Sequence, residues 1–136
     1  MVISTKGRYA LRMMLDLAQH GQEGFVSLKH VSERQEVSLK YLEAITASLN
    51  RAGLVRSQRG KEGGYRLSRP AEEITVSEIL QSAEGSLAAV ACQGLEDQAC
   101  ERAETCLTLP LWKHLDTIMD DYLSGVTLQD VLDGKA

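Results

Sequence analysis

The sequence predicts a mainly α-helical fold, a winged helix-turn-helix with a small β-hairpin wing, followed by a long C-terminal helix. Three observations predict it. Apolar residues recur at helical spacing through most of the stretch from Tyr9 to Leu49. A glycine-rich hexapeptide, Arg59-Gly60-Lys61-Glu62-Gly63-Gly64, separates two short strand-like runs. A second apolar stripe then runs from Leu107 to Tyr122, after a stretch with no periodicity.

Taken in order, Ser4 or Thr5 caps a first helix with Tyr9, Ala10, Met13, Met14 and Leu17 on its apolar side, stopped by Gly21. Ser27 caps a short second helix to about Gln35, with Leu28 and Val31 inward. Glu36-Val37-Ser38 is the turn. From Ser38 a third helix runs to about Ala52, with Leu39, Leu42, Ile45 and Leu49 on one stripe and Gly53 at the left-handed terminal position. Two helices joined by such a turn make a helix-turn-helix. The strands at 54–58 and 65–67, with a basic loop between them, add the wing. Thr75-Val76-Ser77-Glu78 is a capping box for a linker helix to about Ala83. Residues 85–106 read as a loop holding all the cysteines. A helix of about 109–124 follows, and Thr127-Leu128-Gln129-Asp130 opens a last short turn or helix. The organisation is therefore a DNA-binding unit at 1–70 and a segment at 71–136 containing the linker helix, cysteine loop and dimerisation helix.

Composition is that of an ordinary globular chain, 43% hydrophobic and 25% charged over 136 residues. The net charge of -4 conceals a split. Residues 1–70 carry 12 Lys+Arg against 6 Asp+Glu (+6), and residues 71–136 carry 3 against 13 (-10). The basic half is the one suited to a polyanion. No apolar run approaches the ~20 residues of a membrane span, and the start lacks a signal-peptide pattern. A cytoplasmic location without membrane partners is expected. No nucleophile–base or phosphate-loop pattern points to an enzyme.

A reading helix enters the major groove with its N-terminal residues toward base edges. With the apolar stripe inward, the outward set is Ser38, Lys40, Tyr41, Glu43, Ala44, Ala47 and Arg51. Ser38, Lys40 and Tyr41 suit phosphates, and Glu43 suits a cytosine amino group. Arg59 and Lys61 of the wing suit the backbone or a narrow minor groove. Double-stranded promoter DNA is the expected partner. The stripe Leu107, Leu111, Leu115, Ile118 and Tyr122 lies on a helix over 20 Å long by the ~1.5 Å rise per residue. Little chain remains to cover it, so pairing with a second copy, a homodimer, is expected.

Cys92, Cys100 and Cys106 are spaced C-x7-C-x5-C within or beside one polar loop, and no other cysteine exists. Such thiolates suit a soft metal or an iron–sulfur cluster. The paired C-x2-C spacing of zinc sites is missing. The alternative, three small buried hydrophobes, suits a polar loop poorly.

At this point the residues resemble a known family. Ser4-Thr5-Lys6-Gly7-Arg8-Tyr9-Ala10, Ser32-Glu33-Arg34-Gln35, Ser38-Leu39-Lys40-Tyr41-Leu42-Glu43 and the wing hexapeptide with Tyr65 are similar to the IscR, NsrR and CymR family of winged-helix transcription regulators. The likeness continues through the cysteines, Leu107-Thr108 and Trp112 to Thr127-Leu128. It implies a dimer with a crossed long helix, palindromic promoter DNA, and a cluster on the three cysteines, [2Fe–2S] favoured over [4Fe–4S]. It also implies a cluster-responsive repressor of cluster-assembly or redox-stress genes. A cluster-free regulator using the cysteines as a thiol switch is the alternative. The chain departs from the cluster-binding branch in two ways: the gap between its first two cysteines is wider, and Leu109 stands where IscR has a histidine. The acidic ligand near the N-terminus that NsrR-type proteins can use is here replaced by Lys6-Gly7-Arg8. The fourth ligand is open among Asp97, Glu101, Glu104 and a group from the other subunit.

Overall fold

The computed structural model describes residues 3–89 and 104–136. Helices α1 (Thr5–His20), α2 (Leu28–Gln35) and α3 (Leu39–Arg51) are followed by strands β1 (Val55–Gln58) and β2 (Gly64–Leu67). A 3-10 turn (Ala71–Glu73) leads to α4 (Val76–Glu84), and α5 (Leu109–Gly125) and α6 (Leu128–Leu132) complete the chain.

Each of the first three helices is opened by a serine whose hydroxyl accepts from a backbone N–H one turn on. Ser4 takes the N–H of Gly7, Ser27 that of His30, and Ser38 that of Tyr41. These are the donors a helix start leaves without an internal partner. The α2–α3 turn is tight because Glu36 adopts the left-handed conformation (φ 55°). β1 and β2 pair antiparallel, Val55 opposite Leu67 and Gln58 opposite Gly64. Val26 adds a one-residue bridge to Tyr65, with both backbone bonds at 2.8 Å. A side chain at Gly64 would run into the Val26 carbonyl, so this close approach requires glycine.

The core gathers Met13, Met14 and Leu17 of α1, Val31 of α2, Leu42, Ile45 and Leu49 of α3, and Ile79 of α4. It continues across residue 70. Ile74 and Leu128 are fully buried, the Leu128 N–H donates to the Ile74 carbonyl at 2.8 Å, and Thr75 bridges Thr127. Both Thr75 and Thr127 head complete capping boxes, with Glu78 and Asp130. Hydrogen bonds from Thr127 hold the Asp130 carboxyl below its usual range. The sequence placed Leu39 on the buried stripe, and the structure corrects this: Leu39 is 44% exposed. It is the first residue of α3, at the edge of the core.

Helix α5 differs from the rest. None of its residues is buried, and Leu111, Ile118 and Tyr122 (each above half exposed) form an open apolar stripe, with Leu107, just ahead of the helix, 94% exposed. No helix among the described residues is long and apolar enough to cross a membrane.

Candidate nucleic-acid interface

The reading helix α3 is split cleanly into two faces. Leu42, Ile45 and Leu49 fill the core, and the two polar residues buried among them are bonded. The Thr46 hydroxyl donates to the Leu42 carbonyl (2.6 Å), and Ser48 accepts from Lys6 Nζ (2.9 Å) and Arg51 (3.3 Å). Ser38, Lys40, Glu43, Ala44, Ala47 and Arg51 are exposed on the other face, as the periodicity predicts, and Leu39 joins them. Tyr41 is half-buried: its ring packs edge-on against Tyr9, centroids 5.9 Å apart, and against the core. Among the described residues Glu43, Lys40, Arg59 and Lys61 make no ion pair. In particular, Glu43 is not neutralised by Lys40.

The helices are held at fixed angles by polar groups that sequence reasoning missed. Asp16, 1% exposed on α1, receives a two-pronged contact from Arg34 of α2 (2.6 and 3.0 Å) and a third bond from Gln35 (2.9 Å). Burial pushes its carboxyl up, but the hydrogen bonds from Arg34 and Gln35 and the guanidinium charge outweigh that and hold it below the usual carboxylate range. Gln35 in turn accepts from Arg12 through side chain and backbone oxygens (3.0 and 2.8 Å), and Arg12 lies 4.9 Å over the Tyr9 ring. A signal existed: Asp16 falls three residues after Met13 on the apolar stripe of α1, where an unpaired carboxylate is not tolerated.

A second clamp holds the start of α1. Glu84, the last residue of α4, accepts from the backbone N–H (2.8 Å) and hydroxyl (2.6 Å) of Ser4. A side chain at Gly7 would press on this carboxylate, so a larger residue there would have to displace the Glu84 side chain from Ser4. Lys6, the second residue of the same helix, reaches Ser48 of α3. The end of α4 is thereby tied through α1 to the back of the reading helix.

The wing places Arg59 and Lys61 exposed at the loop between β1 and β2. Of the cysteines, Cys106 is half-buried two residues before Thr108, the residue preceding α5, with its Sγ 3.3 Å from Thr108 Oγ1. Cys92 and Cys100, with Asp97 and Glu101, lie outside the described residues. Glu104 is exposed. Next to this segment, the N–H of Ala89 donates to Asp116 of α5 at 2.6 Å.

A capped reading helix with an exposed polar face, backed by a core and followed by a cationic wing, defines a winged-helix DNA-binding transcription regulator. Comparison with known proteins gives the family. Residues 3–134 match the Rrf2 family, described as iron-dependent transcriptional regulators, and the chain belongs to it. It is 43% identical over 135 residues to the HTH-type transcriptional regulator IscR of Pectobacterium carotovorum, covering 99% of this chain and 81% of that one. Among solved structures it is similar to T. potens IscR (TM-score 0.78, 38% identity, covering 100% of this chain and 89% of that one). It is also similar to CymR, the global cysteine regulator of B. subtilis (TM-score 0.80, 34% identity, 100% and 99% covered). These relatives are transcription regulators, not enzymes.

Proposed function

We propose that the chain acts as a homodimeric, cluster-responsive repressor of iron–sulfur assembly or redox-stress genes in the cytoplasm. Residues 1–70 serve as the DNA-binding unit, and residues 71–136 as the segment that pairs the subunits and carries the cysteines. In this reading α5 packs on its copy and sets two α3 helices at the spacing of a palindromic site. Ser38, Lys40, Arg51, Arg59 and Lys61 contact phosphates, with Tyr41 taking part from its half-buried position. Glu43 discriminates among base edges, and Leu39 offers an apolar contact suited to a thymine methyl.

Cys92, Cys100 and Cys106 are proposed to hold the cluster, [2Fe–2S] rather than [4Fe–4S], with Asp97, Glu101, Glu104 or a partner-subunit group as fourth ligand. The donor set fits: three thiols lie within 15 consecutive residues and no cysteine occurs elsewhere to compete. When bound, the cluster supplies a group sensitive to oxidants and to iron supply. The observation that carries the reading is the position of Cys106, three residues ahead of the helix bearing the open apolar stripe. A change at the thiols is thereby delivered to the segment proposed to join the subunits. The likeness to CymR supports a second reading, in which the same thiols switch by oxidation without iron.

Visible absorption of anaerobically prepared protein, with iron and sulfide analysis, separates the two. A cluster gives a visible chromophore with matching iron and sulfide, lost in each of Cys92→Ala, Cys100→Ala and Cys106→Ala while circular dichroism stays unchanged. A colourless protein that forms a disulfide on oxidation favours the thiol switch.

A further inference from the structure

Beside the wing stem lies an open groove of about 410 Å³, apart from the exposed face of α3. It is bounded by the end of α1, the outer side of the β1–β2 hairpin, the 3-10 turn and Gln129 of α6. Three guanidiniums line it: Arg56, Arg66 and Arg69. Arg56 and Arg66 stand directly opposite each other on the two strands. Like charges directly opposite each other repel, and opposite charges are the favourable choice there. No carboxylate offsets this pair: among the described residues neither arginine makes an ion pair. Arg66 is instead held over the ring of Phe25, 5.6 Å from its centroid. Arg69 shares Glu78 at 3.0 Å in a partly exposed contact, so its charge is only partly spent. Glu72 is the sole acidic residue lining the groove, against three cations.

We infer that this groove is a binding site for a small organic dianion of the phosphate-monoester kind. Each guanidinium presents a planar fork of N–H donors matched to phosphate oxygens, and Arg56 and Arg66 keep theirs free of any ion pair among the described residues. Leu17, Leu67 and Ala71 supply an apolar floor for the carbon part of such a solute. The volume is in the range of small-molecule sites. None of the residues lining the groove is a cysteine. Because Arg56 lies five residues after Arg51, the end of α3, and three before Arg59 of the wing, a bound solute would brace the hairpin against α1.

The test uses the full-length protein without DNA and inorganic phosphate as probe, followed by phosphorus NMR at constant ionic strength against chloride. The expected result is saturable phosphate binding, weakened at least tenfold by Arg56→Ala and by Arg66→Ala but unchanged by Lys29→Ala, an exposed cation outside the groove. Arg56 is exposed and makes no ring or ion-pair contact, so Arg56→Ala decides the matter even if loss of the Phe25 contact unfolds Arg66→Ala. A parallel duplex titration identifies the source of phosphate. If free phosphate does not saturate, or saturates equally in Arg56→Ala, the inference is overturned. If the only effect of Arg56→Ala is a shallower salt dependence of DNA binding, the arginines serve the DNA backbone and the small-solute site is likewise overturned.

Discussion

Helices α1 and α5 are nearly equal in length, 16 and 17 residues, and both carry apolar positions at helical spacing. Yet α1 buries six residues, Met13 and Met14 completely, and α5 buries none. The same pattern thus has two uses. In α1 the stripe meets α2, α3 and α4 of its own chain, and even a carboxylate can be included because Arg34 and Gln35 satisfy it. In α5 the stripe meets no such layer among the described residues. Side chains such as Ile118 and Leu111 would each gain on the order of 1–2 kcal/mol if covered. The stripe of α1 is satisfied within the chain, whereas that of α5 stays open among the described residues.

That contrast can be broken at either end, and the largest effect is expected at α5. Ile118→Glu puts a like charge on both sides of a two-fold contact. The dimer should dissociate in sedimentation, and affinity for a palindromic site should fall about a thousandfold, roughly 4 kcal/mol, as the paired engagement is lost. The melting transition of the reading head should survive. A dimer of full affinity would show that α5 pairs nothing.

At the other end, Asp16→Ala leaves Arg34 and Gln35 without their shared partner and should cost about 3 kcal/mol of stability. That corresponds to a fall on the order of 10 °C in Tm. Since the native Asp16 carboxyl is held below its usual range, its contribution is fully present above the ordinary carboxylate range. It disappears as the pH falls through the lowered native value. Acid titration of wild type and variant by circular dichroism should therefore converge only at low pH. A gap that persists unchanged into strong acid would assign the loss to packing instead.

Smaller effects sharpen the description of the reading face. Glu43 is exposed and makes no ion pair with Lys40. A lone carboxylate facing phosphates is unfavourable unless it rejects wrong sites. Glu43→Ala should keep the best site and improve binding to rejected sites by about 2 kcal/mol, seen in selection from randomised duplexes. Identical preferences in both proteins would mean Glu43 reads nothing. Arg59→Ala should weaken all sequences alike by about 1 kcal/mol and make the log–log salt slope shallower by about 0.9 per phosphate released. A sequence-dependent loss would instead place Arg59 in a shape-selective minor-groove contact.

What was legible in the sequence follows how local each feature is. The serine caps, the Thr75–Glu78 box, the glycine-tipped hairpin and the α5 stripe are set by residues a few positions apart, and all appear where the spacing puts them. Leu39 misled because periodicity says which side a residue faces, not whether a neighbour exists there. Leu128 was visible only as the start of a short last element. Its complete burial depends on meeting Ile74, more than 50 residues earlier. The Asp16–Arg34 pair and the Glu84–Ser4 clamp are of the same kind, polar contacts between distant segments with no local signature. The exposure of the polar side of α3 was legible apart from the half-burial of Tyr41, which requires Tyr9 of another helix.

The most direct test of cluster-responsive DNA binding is titration of one promoter duplex with the same dimer in two states, anaerobically reconstituted and stripped of iron, at fixed salt. The two affinities should differ by at least about fivefold, the lower end of ordinary coupling between sites. Cys106→Ala should stay at the stripped value after reconstitution. Equal affinities for the two states, with the cluster confirmed by its iron and sulfide, would contradict the proposed regulation.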